Sequence, residues 1–194
     1  MTSDARNLPA ISSARTPAEW QQLTTFDAVE RYAAKICAAG WVPKGYMQNG
    51  RPNQAMVEVG IMHGQEVGLS PMASLQTIAV INGMPSLWGD GMLAVVEASG
   101  LLEDIEERFD GEGELLAAVC TVKRRGRPTP VVQRFSIAMA KKAGLWGKSG
   151  PWSQYPQRML TLRARAWALR NGFSDVIKGM RVTEEVIDGG ELVA

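Results

Sequence analysis

The chain has 194 residues and a formal net charge of +1, with 45% hydrophobic and 21% charged residues. These values are typical of a globular protein with one domain or at most two small ones. No apolar run approaches the roughly 18 residues that span a bilayer, and no basic-then-apolar signal pattern opens the chain. The composition therefore argues against the membrane, secreted and fibrous classes.

The cysteines and the single histidine argue against several kinds of site. Cys37 and Cys120 lie far apart in the sequence without metal-ligand spacing, which predicts buried thiols in a reducing cytosol. His63 has no recognisable nucleophile motif nearby. A zinc site built on histidines and a histidine-activated nucleophile are therefore disfavoured.

The small net charge hides a strong asymmetry along the chain. Residues 1–120 carry seven Lys/Arg against fifteen Asp/Glu, a formal charge of −8, whereas residues 121–170 carry twelve Lys/Arg and no acid. Residues 171–194 return to −3. Fifty consecutive residues without a carboxylate are a sequence footprint for phosphate binding.

The chain divides into three predicted parts: a flexible arm over residues 1–24, a core over residues 25–180 and an acidic tail over residues 181–194. Helices are predicted from Thr25, from an Asn53 cap with Val59 facing inward, from Ser70, and from an Asp90 cap. A short helix over residues 136–146 and a long helix over residues 155–171 follow.

Strands are predicted in the middle of the chain. Asn82-Gly83 between two apolar runs predicts a hairpin with a two-residue turn. Three further strand-like runs follow, IEERFD, LLAAVCTVKRR and PVVQRFSI, with turn residues between them. Together these elements predict an α+β fold in which an antiparallel sheet of about five strands packs with helices.

Two segments before the long helix could contact nucleic acid. Lys123, Arg124, Arg125 and Arg127 form a hairpin tip whose mutual repulsion a bound phosphate backbone would relieve; the alternative is a solvated turn. The loop AGLWGKSGPWSQYP interleaves aromatic and cationic residues, and aromatic rings stack on unpaired bases. Trp146 and Lys148 are its candidate contacts; the alternative is that the aromatic residues pack in the core beside the long helix, which is expected above all for Trp152 and Tyr155. The segment lacks the first glycine of a phosphate loop, so no nucleotide triphosphate site is predicted.

The long helix YPQRMLTLRARAWALRN is apolar on two faces, which predicts burial on two sides. Its four arginines lie in pairs along two edges: Arg158 with Arg165, and Arg163 with Arg170. They either line a cleft for DNA or pair with acids such as Asp175 and Glu184.

Carboxylates offer a different interpretation. Six acids could supply a Mg²⁺ site of a nuclease: Asp90, Glu97, Glu103, Asp104, Glu106 and Glu107. No two of them have a diagnostic spacing, and Asp90 is expected to cap a helix. A metal site is therefore the weaker hypothesis, and no catalytic residue is assigned.

Two long blocks resemble the phage and prophage RecT recombinases, a group of single-strand annealing proteins. They are EVGLSPMASLQTIAVINGMPSLWGDGMLAVVEAS and KKAGLWGKSGPWSQYPQRMLTLRARAWALRNGFSDVIKG. The resemblance spans roughly residues 25–185 and implies a protein that is not an enzyme. It implies pairing of complementary strands without ATP or another cofactor, as a ring or helical filament in the cytoplasm of a bacterial host.

The resemblance also implies partners and a site. The partners are single-stranded DNA, the annealed duplex intermediate and further copies of the chain. A basic groove would hold the DNA, with Lys141 and Lys142 added to the candidates named above. Longer relatives often carry a C-terminal segment that contacts a partner exonuclease or the host single-strand-binding protein. Here only MRVTEEVIDGGELVA follows Gly179.

Charge suggests how copies could associate. The acidic residues 1–120 of one copy could pack against the basic residues 121–170 of the next, a head-to-tail arrangement that generates rings or filaments. A protein that only coats single-stranded DNA has the same charge pattern, and it remains an alternative alongside the nuclease.

Overall fold

A computed structural model describes residues 23–81 and 84–188 of the chain. Within these residues the fold is α+β, with eight α-helices and three small sheets. The helices are α1 (Phe26–Ala38), α2 (Gln54–Glu66), α3 (Pro71–Thr77), α4 (Gly89–Ala98), α5 (Ile137–Lys142), α6 (Pro151–Gln154), α7 (Pro156–Ile177) and α8 (Thr183–Asp188). The strands are β1 (Met47–Gln48), β2 (Arg51–Pro52), β3 (Ile78–Ile81), β4 (Met84–Leu87), β5 (Leu102–Asp110), β6 (Ala117–Arg124), β7 (Val131–Ser136) and β8 (Arg181–Val182). No helix among the described residues is long and apolar enough to cross a membrane.

The N-terminal helices form a small core of their own. The Asn53 side chain accepts a hydrogen bond from the Met56 amide at 3.1 Å, so it caps α2 as predicted. Tyr46 is buried in this core, and its hydroxyl donates to the Ile78 carbonyl at 2.9 Å. Val59 is exposed rather than inward, because α2 buries Val57 and a side chain two positions further along a helix points to the other side.

The five strands predicted from the sequence exist, but they belong to two sheets rather than one. β3 and β4 form the expected antiparallel hairpin, with Ile81 paired to Met84. The Asn82-Gly83 turn itself lies outside the described residues. The free edge of β4 pairs in parallel with β8, whereas β5, β6 and β7 form a separate antiparallel sheet. The prediction of one five-stranded sheet is therefore wrong: β3 and β4 share a sheet with the distant two-residue strand β8, and β5, β6 and β7 form another.

The long helix α7 lies across β6 and β7 and also packs against α4. Leu160, Ala164 and Leu169 are fully buried, which confirms that the helix is buried on more than one side. Gly172 allows a close approach to the sheet, since a Cβ there would lie 3.3 Å from Val122 Cγ2. The helical backbone breaks at Phe173, and the segment ends at Lys178 in the left-handed region.

Two other local predictions need correction. Asp90 does not cap α4, because the helix begins one residue earlier, at Gly89. The Gly89 amide instead donates to Glu184 Oε1 at 3.2 Å, so a carboxylate from α8 serves this helix terminus. Residues 181–188, the first part of the predicted acidic tail, form β8 and α8.

Candidate nucleic-acid interface

The hairpin tip contains two paired and two unpaired cations. Arg124 forms a fork with Asp175, with hydrogen bonds of 2.6 and 2.7 Å, and lies 5.4 Å above the Phe173 ring. This hydrogen bonding raises the pKa of Arg124 and lowers that of Asp175 to about 2.

The other three cations of the hairpin tip differ in their partners. Lys123 forms an ion pair with Glu103 at 2.7 Å. Only Arg125 and Arg127 of this cluster are exposed with no acidic partner in the described part of the chain.

Lys141 and Lys142 lie at the other end of the same sheet. α5 follows Ser136, which pairs with Ala117 at the start of β6, whereas the hairpin tip follows the end of β6. Lys141 forms an ion pair with Glu114, and Lys142 is exposed. The structure therefore does not bring these lysines together with the hairpin tip.

The four arginines of α7 occupy two flanks of the helix, as the sequence predicts. On one flank, Arg165 is buried and forms a fork with Glu107 at 2.6 and 2.7 Å. Arg165 also donates to Asp90 at 2.8 Å, and Arg158 donates to the other oxygen of that carboxylate. Hydrogen bonds to Glu107, and then to Asp90, raise the pKa of Arg165. This pair of arginines is held by acids of β5 and α4.

The second flank is covered by α8. Arg170 forms a fork with Glu185, with contacts of 2.7 and 2.8 Å. Arg163 donates to Asp188 at 2.8 Å and approaches Glu185 at 3.5 Å. The arginines of α7 therefore pair with acids, as one of the two interpretations expected, although neither Asp175 nor Glu184 is among their partners.

Acidic and basic segments that the sequence suggested would meet between copies already meet inside one chain. The acids of β5 and α4 face cations of β6, β7 and α7, including Glu103 with Lys123 and Asp110 with Arg134 at 3.5 Å. Antiparallel pairing of β5 with β6 brings the acidic strand next to Lys123 at the end of β6, and β7 on the far side of β6 supplies Arg134. The acids in these pairs are already engaged within one chain, and head-to-tail packing of copies stays a prediction.

A groove of about 300 Å³ opens beside the start of α7. Its apolar floor includes the buried residues Trp152, Met159 and Leu162. Its rim carries two exposed aromatic residues, Trp88 (44% exposed) and Tyr155 (64% exposed). The remaining lining residues are Lys148, Ser149, Pro151, Arg158, Glu184, Ile187 and Asp188.

Among the aromatic residues near this groove, Tyr155 departs from the sequence expectation and Trp146 follows its core alternative. Trp152 is buried as expected, and its indole N–H donates to Asp188 at 2.7 Å. Tyr155 was expected in the core but is exposed, because it stands at the junction where α6 ends and α7 begins. Trp146 is half-buried against the main core and does not line the groove.

Trp88 is the groove residue that the sequence analysis missed. It follows the buried residue Leu87 at the end of β4 and immediately precedes α4. The signal in the sequence was a tryptophan next to a predicted strand–helix junction. This signal does not indicate whether the side chain is buried or exposed. Trp88 comes from the first of the two long sequence blocks, residues 66–99, whereas Lys148, Tyr155 and Arg158 come from the second, residues 141–179. The two blocks therefore meet at this groove.

Within residues 23–81 and 84–188, no three His, Cys, Asp or Glu side chains cluster as a metal-ligand group. No protein-family model and no curated protein matches this chain.

Proposed function

We propose that this chain is a single-strand annealing protein of the RecT type, which binds single-stranded DNA and pairs complementary strands without ATP. The observation that carries the proposal is the convergence of the two RecT-like blocks on one groove with exposed aromatic rings and two cations. Unpaired bases expose the flat faces that such rings stack on, whereas bases inside a duplex do not. The groove therefore suits a single strand.

In this proposal the bases and the phosphate backbone of the DNA contact different residues of the protein. Trp88 and Tyr155 stack on bases, while Lys148 and Arg158 approach phosphates at the same rim. Arg125 and Arg127 at the hairpin tip, and Lys142 at the other end of the sheet, add exposed positive charge. Contacts to phosphate carry no sequence information, so a second strand can be tested for complementarity.

Annealing requires no covalent chemistry by the protein. Two phosphate backbones repel each other, and cations near both strands lower that barrier. Repeated weak contacts in an oligomer would give tight binding to a long strand. We propose a homo-oligomer acting in the cytoplasm of a bacterial host, with a partner exonuclease or host single-strand-binding protein as further partners.

The test compares two pairs of exposed aromatic residues. Trp88→Ala and Tyr155→Ala are expected to weaken binding of labelled oligo(dT), measured by fluorescence anisotropy, by about 1–3 kcal/mol each. The matched control is Phe26→Ala with Trp41→Ala; Phe26 begins α1 and Trp41 lies in the loop after it, and both are 70% exposed and outside the groove. Wild-type affinity in the groove variants, or an equal loss in the control, would count against the proposed site.

A further inference from the structure

The short helix α8 presents two carboxylates to the basic flank of α7. Glu185 and Asp188 are three residues apart, so they lie on the same side of the helix. Their side chains are only 10% and 7% exposed, although the helix is at the protein surface and its Ile187 is 53% exposed. Both acids therefore point inward at cations rather than outward at water.

These carboxylates occupy donors that would suit phosphate oxygens. Arg170 holds Glu185 in a two-pronged fork, a geometry that arginine uses equally for carboxylate and phosphate. Asp188 accepts hydrogen bonds from Arg163 and from the Trp152 indole, and its Oδ1 lies 3.9 Å from Lys148 Nζ. Two carboxylates thus engage three cations and an indole N–H.

The match between α8 and these donors is incomplete. Arg163 Nε is buried and has no hydrogen-bond partner among the described residues. The Arg163 side chain is only 12% exposed, so water does not readily compensate for the missing acceptor. Arg163 hydrogen-bonds one Asp188 oxygen and meets Glu185 only at 3.5 Å, whereas a phosphate group offers further acceptor oxygens for the free donor.

The position of α8 couples these contacts to the groove. Ile187 and Asp188 line the groove wall, next to Lys148. α8 has only six residues, too few to be stable as a helix by itself, so its place depends on its contacts. Besides the ion pairs, its first residue, Thr183, shares a hydroxyl hydrogen bond of 3.0 Å with Ser86, and Val186 is buried.

We propose that α8 is an internal competitor of single-stranded DNA: Glu185 and Asp188 occupy a cationic site of Lys148, Arg163 and Arg170 that binds backbone phosphates once a strand entering the groove displaces them. This inference rests on the proposed function, because it assigns a regulatory contact to the same groove. It predicts that free protein is held in a state of lower DNA affinity and that DNA releases α8.

The first test removes the two competing charges. The double variant Glu185→Gln/Asp188→Asn is expected to bind oligo(dT) more tightly than wild type by about threefold or more at moderate salt. Its affinity is also expected to fall more steeply with salt, by about 0.7 in log–log slope for each cation that exchanges a counterion for DNA. The matched control, Glu97→Gln/Glu112→Gln, removes two exposed charges that form no ion pair in the described part of the chain. An equal gain in oligo(dT) affinity in the control would show that net charge alone explains the effect, and it would overturn the proposal.

The second test needs no substitution and covers the case in which the double variant folds poorly. Amide hydrogen exchange of residues 183–188 in the wild-type protein is expected to become faster when oligo(dT) binds. Unchanged or slower exchange in the DNA complex would overturn the proposal while leaving the annealing function intact. If neither the wild type nor the double variant binds oligo(dT), both the annealing function and the competitor role fail.

Discussion

Arg165 shows how the surroundings of one residue decide its role. The sequence places it among the candidate DNA contacts, but the side chain is buried and bound to two acids of different elements. The fork with Glu107 and the further hydrogen bond to Asp90 engage all three guanidinium nitrogens of Arg165, so few N–H donors remain for a ligand. We infer that Arg165 joins α7 to β5 and α4.

This role makes Glu107 a stability residue. Glu107→Gln removes the charge that faces a buried guanidinium and is expected to lower the free energy of unfolding by about 2–3 kcal/mol, measured by urea denaturation. The control is Glu106→Gln on the other face of β5, where the nearest cation, Arg108, is 4.0 Å away and the acid is exposed. That change is expected to cost less than about 0.5 kcal/mol. A loss of similar size in the two variants would refute the structural role.

Tyr155 and Trp88 show the limit of residue-level prediction in the opposite direction. Both are large aromatic residues, which are usually buried, and nothing in the local pattern marks them as exposed. Their exposure follows from where helices begin: Tyr155 separates α6 from α7, and Trp88 separates β4 from α4. Such junctions depend on tertiary packing, which the local sequence does not encode.

At the level of elements, β6 and the last part of α7 are joined by the Arg124–Asp175 fork. α7 loses helical geometry at Phe173, and Asp175 lies just beyond this break. The fork, together with the Arg124 bond to the Gly172 carbonyl at 3.0 Å, fixes the continuation of the helix against the sheet. The sequence predicted the helix only to about residue 171, because the stabilising partner lies on another element.

The fork predicts a pH dependence of stability. Asp175 has a pKa of about 2 in the folded protein, below the usual value near 3.8, so its contribution is present above about pH 4 and is lost as the pH falls towards 2. The wild type is therefore expected to exceed Asp175→Asn in free energy of unfolding at pH 5, with the difference shrinking towards zero near pH 2. Denaturant titrations at several pH values measure this difference.

The matched control for this prediction is Asp104→Asn, which removes the same charge from an exposed residue that forms no ion pair in the described ranges. The difference between this control and the wild type should show no comparable loss between pH 4 and pH 2. A constant difference between the wild type and Asp175→Asn over that range would contradict the assigned role of the fork.

Strong local signals predicted elements well. The Asn53 cap and the strand-like runs of β5, β6 and β7 are properties of neighbouring residues, and the structure confirms them. β8 and α8 were missed, because elements of two and six residues gain their stability from partners far away in the sequence. The pairing of β4 with β8 likewise joins strands that are far apart in the sequence, so no local signal predicts this sheet.

At the scale of the whole molecule, the charge asymmetry of the sequence is largely cancelled within the fold. Acids of α4, β5 and α8 pair with most of the cations predicted to line a continuous groove, and Arg125, Arg127 and Lys142 are left exposed at opposite ends of the sheet. A linear count of charges cannot show this, because pairing depends on which strands and helices become neighbours. The candidate site in the structure is a groove with aromatic residues at its rim, whereas the sequence predicts a broad basic surface.

The most direct test of the proposed function is the rate at which two labelled complementary oligonucleotides pair, followed by energy transfer without ATP over a series of salt concentrations. The proposed function predicts that the protein accelerates pairing, that acceleration weakens as salt rises, and that Trp88→Ala/Tyr155→Ala reduces it. Binding of both oligonucleotides without faster pairing would contradict annealing and identify a protein that only coats single strands.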